Sequence, residues 1–243
     1  MVKSHLAEIW VYLSASPLLG LTITLIAYSL AYRLYVYSKN NPLLNPVVIS
    51  VAMLISFLLL THTSYQVYFE GGQFVHFLLG PATVALAIPL YQQCTKLRQM
   101  WLPVSVAIVS GATISALSSI YIARLLGASV QTQLSLAPKS VTAPVAMGIS
   151  EKIGGLPALT AVLVVATGVI GAVLGTKLFH LLRIKDDGVK GIAIGLTAHG
   201  IGTARAFQVS NEMGAFSGLA MALSAFATAI LIPWLLDFIG LIR

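Results

Sequence analysis

Long apolar runs recur along this chain and constrain its fold more than any single motif does. A membrane-spanning helix needs roughly 20 mainly apolar residues; several runs reach that length and others fall short. Only 9% of the residues are charged, against about 25% in soluble domains. A buried helix of a soluble protein would explain one such run, but not six in so weakly charged a chain. The runs cover residues 17–31, 46–60, 74–90, 102–122, 156–182 and 216–239.

These runs predict an all-α, polytopic helical membrane protein with about 6–8 transmembrane segments. Hydrophobic residues make up 58% of the chain, and its mean hydropathy is +0.92. No soluble module stands apart from this pattern. We therefore expect a single integral membrane domain over residues 1–243.

The basic residues lie at the ends of the apolar runs. The net charge is +7, but the cations form no continuous stripe of the kind that binds nucleic acid. Clusters of Lys and Arg mark the cytoplasmic side of a membrane protein, whereas residues 61–72 lack both and fit the outside. The predicted cytoplasmic residues are Arg33, Lys39, Lys96, Arg98, Arg183, Lys185 and Lys190.

Two polar segments interrupt the apolar context, 138–144 (PKSVTAP) and 195–205 (GLTAHGIGTAR). Broken backbone is tolerated in a bilayer only where it is buried in protein or lines a wet cavity. If 130–152 crossed the membrane, the next run would carry the basic cluster after residue 182 to the outside. If 130–152 instead enters and leaves on the same side, as a re-entrant segment, the basic cluster stays in the cytoplasm. Residues 191–211 would form a second re-entrant segment, from the cytoplasmic side. Full crossing remains the alternative for both.

A weak internal repeat accompanies these breaks. Each unit consists of a broken polar segment followed by a long apolar helix, and the re-entrant topology inverts the middle copy. Inverted repeats with discontinuous helices form the substrate sites of many secondary transporters. Chance similarity between apolar segments is the alternative. The repeat aligns Pro81 and Thr83 with Pro138 and Ser140, and Thr142, Ala143 and Glu151 with Thr203, Ala204 and Glu212.

The second segment has the ingredients of an anion site. Gly200 and Gly202 permit close backbone approach, and His199 and Thr203 offer hydrogen bonds. A helix that begins near Thr203 would direct free N–H groups at an anion. Arg205 would add a planar fork for a carboxylate. Its alternative roles are to reach the membrane interface or to pair with Glu212.

The first segment offers Lys139, Ser140 and Thr142 between two prolines. Lys139 would attract an anionic solute, or it would anchor the segment at lipid headgroups. A third break around Pro81 and Thr83 would contribute to the same site, or Pro81 would only kink a helix.

Two glutamates are candidates for ion coupling. Glu151 and Glu212 occupy equivalent repeat positions, although carboxylates near helix ends are commonly just solvated. His199 titrates near neutrality and would carry a proton, or it would serve a structural hydrogen bond.

No catalytic set is recognisable. The histidines His62, His76, His180 and His199 lack metal-ligand spacing, and neither a nucleophile elbow nor a phosphate-binding loop is present. We expect no enzyme activity, no cofactor and no metal.

Several of these motifs resemble the LrgB/CidB family. The resemblance runs over essentially the whole chain and rests on residues 80–91, 138–160, 191–206 and 214–221. Bacterial members of that family are labelled antiholin-like, or regulators of murein hydrolases, and accompany a small LrgA/CidA-type membrane subunit. A plant plastid relative looks like a glycolate/glycerate translocator, and some bacterial members are linked to pyruvate uptake. Gly148, Ala198 and Gln208 depart from the residues common in the family, which puts a coupling-ion role in doubt.

The sequence thus predicts a multi-pass protein of the cell inner (cytoplasmic) membrane that transports small monocarboxylates. Its expected partners are a small organic acid, membrane lipid, and further copies of itself or an LrgA/CidA-like subunit, with no nucleic acid. The alternative is an antiholin-like regulator of murein hydrolase activity and cell lysis that acts through membrane protein contacts.

Overall fold

The described part of the protein is helical. A computed structural model describes residues 17–38, 41, 44–78, 81, 84–85 and 87–241, and these residues form helices without β-strands. The chain forms two compact units, Met1–Ala85 and Leu86–Arg243. The all-α prediction is confirmed. The single membrane domain over residues 1–243 remains a prediction.

The amino-terminal unit contains three packed helices. They are α1 (Pro17–Tyr37), α2 (Pro46–Leu60) and α3 (Tyr65–Phe77). Asn45 caps α2, because its side-chain Oδ1 accepts from the N–H of Val47 at 2.9 Å. The Thr24 and Tyr68 hydroxyls are 2.8 Å apart and join α1 to α3. A mainly apolar cavity of about 440 Å³ lies between the helices.

The second unit holds the remaining helices. They are α4 (Ala87–Gln92), α5 (Cys94–Leu125), α6 (Val130–Leu136), α7 (Ala143–Lys152), α8 (Pro157–Leu181), α9 (Asp187–Val209) and α10 (Asn211–Phe238). In the described chain, α1 (over Leu18–Tyr37), α5, α8 and α10 are long and apolar enough to cross a membrane, and α2 is apolar but shorter. This pattern confirms a polytopic helical membrane protein.

Helices α6 and α7, with the link 137–142 between them, form a hairpin that we call the first hairpin. The Thr160 hydroxyl of α8 contacts the Ser135 carbonyl of α6 at 3.1 Å and the Ser150 hydroxyl of α7 at 2.7 Å. Residues of α6 and of α7, on the two sides of the link, therefore contact the same residue of α8. This arrangement agrees with the re-entrant prediction for 130–152.

Helix α9 is also a hairpin, which we call the second hairpin. Its backbone reverses at His199, where φ is 40° and ψ is −133°. The Ser210 hydroxyl donates to Asp187 Oδ2 at 2.8 Å. A straight helix would hold these residues ~34 Å apart. The inward arm 187–198 and the return arm 200–209 therefore begin and end together, as the second re-entrant prediction requires.

The two hairpins enter the second unit from opposite ends. The first opens at the carboxyl end of α5, because residues 126–129 connect that end directly to the start of α6. The second opens at the amino end of α5, where Lys96 lies 2.7 Å from Asp186. Each hairpin leads into a long helix, α8 or α10, and these run in opposite directions. The predicted inverted repeat is present as two such pairs.

Small residues permit the close packing of the second hairpin on α10. A Cβ atom at Gly191 would lie 2.9 Å from Phe216 Cβ. A Cβ atom at Gly195 would lie 2.8 Å from the Ser217 carbonyl carbon. Both distances are shorter than real Cβ contacts, so side chains there would force the hairpin away from α10.

This topology predicts a labelling pattern for single cysteines. The natural Cys94 is first replaced by Ser, because it is the only cysteine in the chain. Lys152→Cys should then react with a membrane-impermeant maleimide from outside the cell. Lys190→Cys and Asn211→Cys, at the two ends of the second hairpin, should react only after the cytoplasmic side is opened. Labelling of residue 152 only from the cytoplasm would show that 130–152 crosses the membrane.

Candidate functional site

The second tip contacts α8 at Val164, whose side chain belongs to the apolar cluster of the first hairpin. The His199 ring donates from Nε2 to the Val164 carbonyl at 3.0 Å. The Val164 side chain is 1% exposed and belongs to the same apolar cluster as Val141 and Ala146 of the first hairpin. The two broken segments therefore converge inside the bundle, where polar backbone groups can face a shared solute.

The first tip turns its polar side chains towards α5. Lys139 Nζ is 3.0 Å from the Ser115 hydroxyl and 3.4 Å from its carbonyl. The Ser140 hydroxyl lies 2.8 Å from that of Ser115. Ser115 is roughly 15 Å along α5 from Leu125, the end of that helix. The Lys139 amine therefore lies against the middle of α5 and not at the end of that helix.

The first tip also presents the amino end of α7. Thr142 is the N-cap residue of that helix, yet its hydroxyl makes no side-chain cap. Within the described residues this hydroxyl has no hydrogen bond, so it is available to a solute. The positive end of the α7 dipole lies at the same place.

The second tip is held by hydroxyl groups and a strained residue. The Thr203 hydroxyl lies 2.8 Å from the His199 carbonyl and 2.8 Å from the Ser217 hydroxyl of α10. A positive φ at His199 is unfavourable for a residue with a side chain. Gly200 is exposed and starts the return arm, whereas Gly202 is buried against the inward arm. The return arm, like α7, directs its amino end into the bundle.

Arg205 lies on the return arm between the tip and the base of the second hairpin. Its side chain is half-buried, and Nη1 donates to Gln208 Oε1 at 2.9 Å. Arg205 follows Gly200 by five residues, which is roughly one and a half helical turns along the return arm.

The base of the second hairpin carries a charge cluster that joins three helices. Lys96 of α5 lies 2.7 Å from Asp186 and 2.6 Å from Glu212 at the start of α10. Asp187 pairs with Lys190 at 2.7 Å. The hydrogen bond from Lys96, aided by one from the Val189 N–H, holds the pKa of Asp186 below its usual value. The cluster ties α5 to both ends of the hairpin.

The two predicted coupling candidates differ in their surroundings. Glu212 belongs to this charge cluster, so its neighbour is a cation and not only solvent. Glu151 is exposed at the base of the first hairpin. Neither lies at a hairpin tip.

The third predicted break is described only in part. Pro81 is exposed in the amino-terminal unit, whereas Thr83 lies outside the described residues. A ligand role for either remains a prediction.

The structure also identifies residues that sequence reasoning missed. Ser115 and Ser217 are the partners of the two tips, yet each is only one of several hydroxyl residues in a long apolar run. Lys96 was predicted only as a topology signal. No local pattern distinguishes these residues from others of their kind. In the described residues, no cluster of three His, Cys, Asp or Glu side chains is arranged to hold a metal.

Comparison with known proteins identifies the family. The profile of the LrgB-like family matches residues 24–238. Proteins named "Antiholin-like protein LrgB" from Bacillus cereus strain B4264 and Bacillus anthracis strain CDC 684 / NRRL 3495 are each 33% identical over 225 residues. These alignments cover 93% of this chain and 98% of each relative. No solved structure matches the chain significantly. The chain is therefore a membrane protein that belongs to the LrgB-like family.

Proposed function

We propose that this protein is a secondary transporter of small monocarboxylates of the glycolate, glycerate and pyruvate class in the cytoplasmic membrane. One observation supports the proposal: two hairpins enter from opposite ends, and Val164 of α8 both accepts a hydrogen bond from the second tip and shares an apolar cluster with the first hairpin. Transporters with inverted repeats place their substrates between broken helices of this kind. A protein that acted only through surface contacts would not need polar breaks inside its bundle.

The charge of the interior selects an anion. From residue 125 to 150 the only charged side chain is Lys139, and from 191 to 209 the only charged or histidine side chains are His199 and Arg205. The interior parts of both hairpins thus contain cations and no carboxylate. Two helix amino ends, at Ala143 and Gly200, add partial positive charge.

The predicted site residues of the two hairpin tips and of the return arm have separate roles in this proposal. Lys139, Ser140 and Thr142 hold the carboxylate from the first hairpin. The backbone from Gly200 to Thr203 holds it from the second, with Arg205 as the fork-shaped partner. His199 fixes the second tip to α8 and acts by positioning. The small size of the acid follows from the family resemblance and not from a measured cavity.

A counterflow assay tests the proposal. Purified protein is reconstituted into liposomes loaded with unlabelled glycolate, glycerate or pyruvate, and uptake of the radiolabelled acid is followed. We expect transient accumulation above that of protein-free liposomes for at least one acid. Glycolamide, the neutral amide of glycolate, is the matched control and should not compete. Absence of exchange for all three acids would contradict a carrier.

A second function follows from the relatives' names, which are antiholin-like. In this alternative the protein regulates murein hydrolase activity and lysis by contacts with other membrane proteins. The test is a deletion strain that expresses a variant without counterflow. Restored lysis control would favour the contact regulator, whereas failure of restoration would favour a role through transport.

The proposed assembly is a homo-oligomer, a complex with a small LrgA/CidA-like subunit, or both. Large apolar side chains such as Phe226 and Ile230 are 73% and 72% exposed and suit contact with lipid. Cross-linking in native membranes, followed by mass determination, separates the two assemblies.

A further inference from the structure

Lys139 is a cation without an acidic partner in the interior of the second unit. Its amine contacts Ser115, and among the described residues it forms no salt bridge. An ammonium group inside a bilayer-embedded bundle costs several kcal/mol unless an anion neutralises it. Its charge state therefore depends on what occupies the site.

The helices around the link 137–142 supply no counter-ion. Ser115 of α5 touches the link directly, and Val164 of α8 and Ile232 of α10 share an apolar cluster with Val141. Helix α5 has no acidic or basic side chain between Arg98 and Arg124, α8 has none before Lys177, and α10 has none between Glu212 and Asp237. Tyr121 of α5 is 49% exposed. Within the two hairpins, the other charged or titratable side chains closest in sequence to the tips are Glu151, Lys152, His199 and Arg205.

The hydrogen bonds of Lys139 fit a neutral amine when the site is empty. A neutral amine has two N–H donors, and the two oxygens of Ser115 accept them at 3.0 and 3.4 Å. An ammonium group has three donors. The third donor has no acceptor among the described residues, and a bound carboxylate would supply one.

We propose that Lys139 takes up a proton together with the carboxylate substrate and so makes transport a proton–carboxylate symport. This inference rests on the proposed transport function. On one side of the membrane the neutral amine accepts a proton from water as the carboxylate binds, and the ammonium donates its third N–H to the acid. On the other side the carboxylate and the proton leave, and the amine returns neutral.

The stoichiometry follows from this cycle. One proton and one monocarboxylate carry no net charge, so transport should be electroneutral. A gradient of one pH unit should then concentrate glycolate up to about tenfold. A membrane potential set by potassium and valinomycin should have no effect on the accumulation.

The decisive measurement is proton uptake on binding. Glycolate is added to the detergent-purified protein in weak buffer near pH 7.5, and a pH-sensitive dye follows the solution. We expect uptake of about one proton per glycolate bound. Lys139→Arg should bind and exchange glycolate but take up no proton, because arginine stays charged. Lys152→Arg, in the same hairpin but exposed, is the matched control and should behave as the wild type.

Each outcome decides the proposal. Glycolate binding by the wild type without proton uptake would overturn it and leave the transporter intact. Undiminished proton uptake in Lys139→Arg would overturn it too, since His199 or another group would then carry the proton. If Lys139→Arg binds no glycolate, the wild-type measurement decides. Absence of counterflow in the wild type is a different result. It would contradict the proposed transport function, and this inference with it.

Discussion

Replacement of Arg205 by Ala is expected to reduce carboxylate counterflow by at least tenfold, on the order of the loss of one charge-assisted hydrogen bond to an anion. Arg205 is the charged residue of the return arm that begins at the second tip. Arg205→Lys should retain part of the activity, because lysine keeps the charge but not the planar fork. Initial rates of counterflow at equal protein density give the measurement.

Gln208→Ala supplies the control for that experiment. It removes the amide that accepts from Arg205 at 2.9 Å and leaves the guanidinium in place. Counterflow near the wild-type rate in Gln208→Ala, with a large loss in Arg205→Ala, would assign the effect to the cation. Wild-type rates in Arg205→Ala would remove Arg205 from the site. Equal losses in both variants would indicate that the pair has a structural role.

Replacement of Gly195 by Leu is expected to destabilise the protein severely. The added Cβ would lie 2.8 Å from the Ser217 carbonyl carbon and 2.9 Å from its Cα, so backbone and not a flexible side chain is in the way. The second hairpin would have to move from α10, at a cost of about 3 kcal/mol or more. The thermal midpoint of the monodisperse peak, by size-exclusion chromatography in detergent, measures the loss.

Gly148→Leu is the matched control, because it is also a glycine within a hairpin helix. A Cβ atom at Gly148 meets nothing within 4 Å, and the residue is exposed. Its melting temperature should equal or exceed that of the wild type, since leucine is a good helix former and glycine costs a helix about 0.8–1 kcal/mol relative to alanine. A wild-type midpoint in Gly195→Leu would show that the hairpin does not pack on α10 as described.

The sequence alone established that the protein lies in a membrane and that its fold is all-α. Scarce charges and apolar runs of about 20 residues predict helices in a bilayer, because that length suits a spanning helix and a helix satisfies its backbone hydrogen bonds within one segment. The cluster after residue 182 also predicted the dip at 130–152, since a full crossing there would have moved Arg183, Lys185 and Lys190 across the membrane, and it allowed a second dip at 191–211. The breaks themselves were visible as prolines, glycines and polar residues in apolar surroundings.

The direction and partner of each polar side chain were decided by the tertiary structure. The sequence favoured a lipid-headgroup anchor for Lys139 taken alone, whereas in the structure its amine lies beside Ser115 on another helix. Glu212 looked solvated until the chain brought Lys96, 116 residues away, within 2.6 Å. Local composition determines whether a segment is apolar or broken. It does not specify which distant residue a side chain meets, because that depends on how the helices pack.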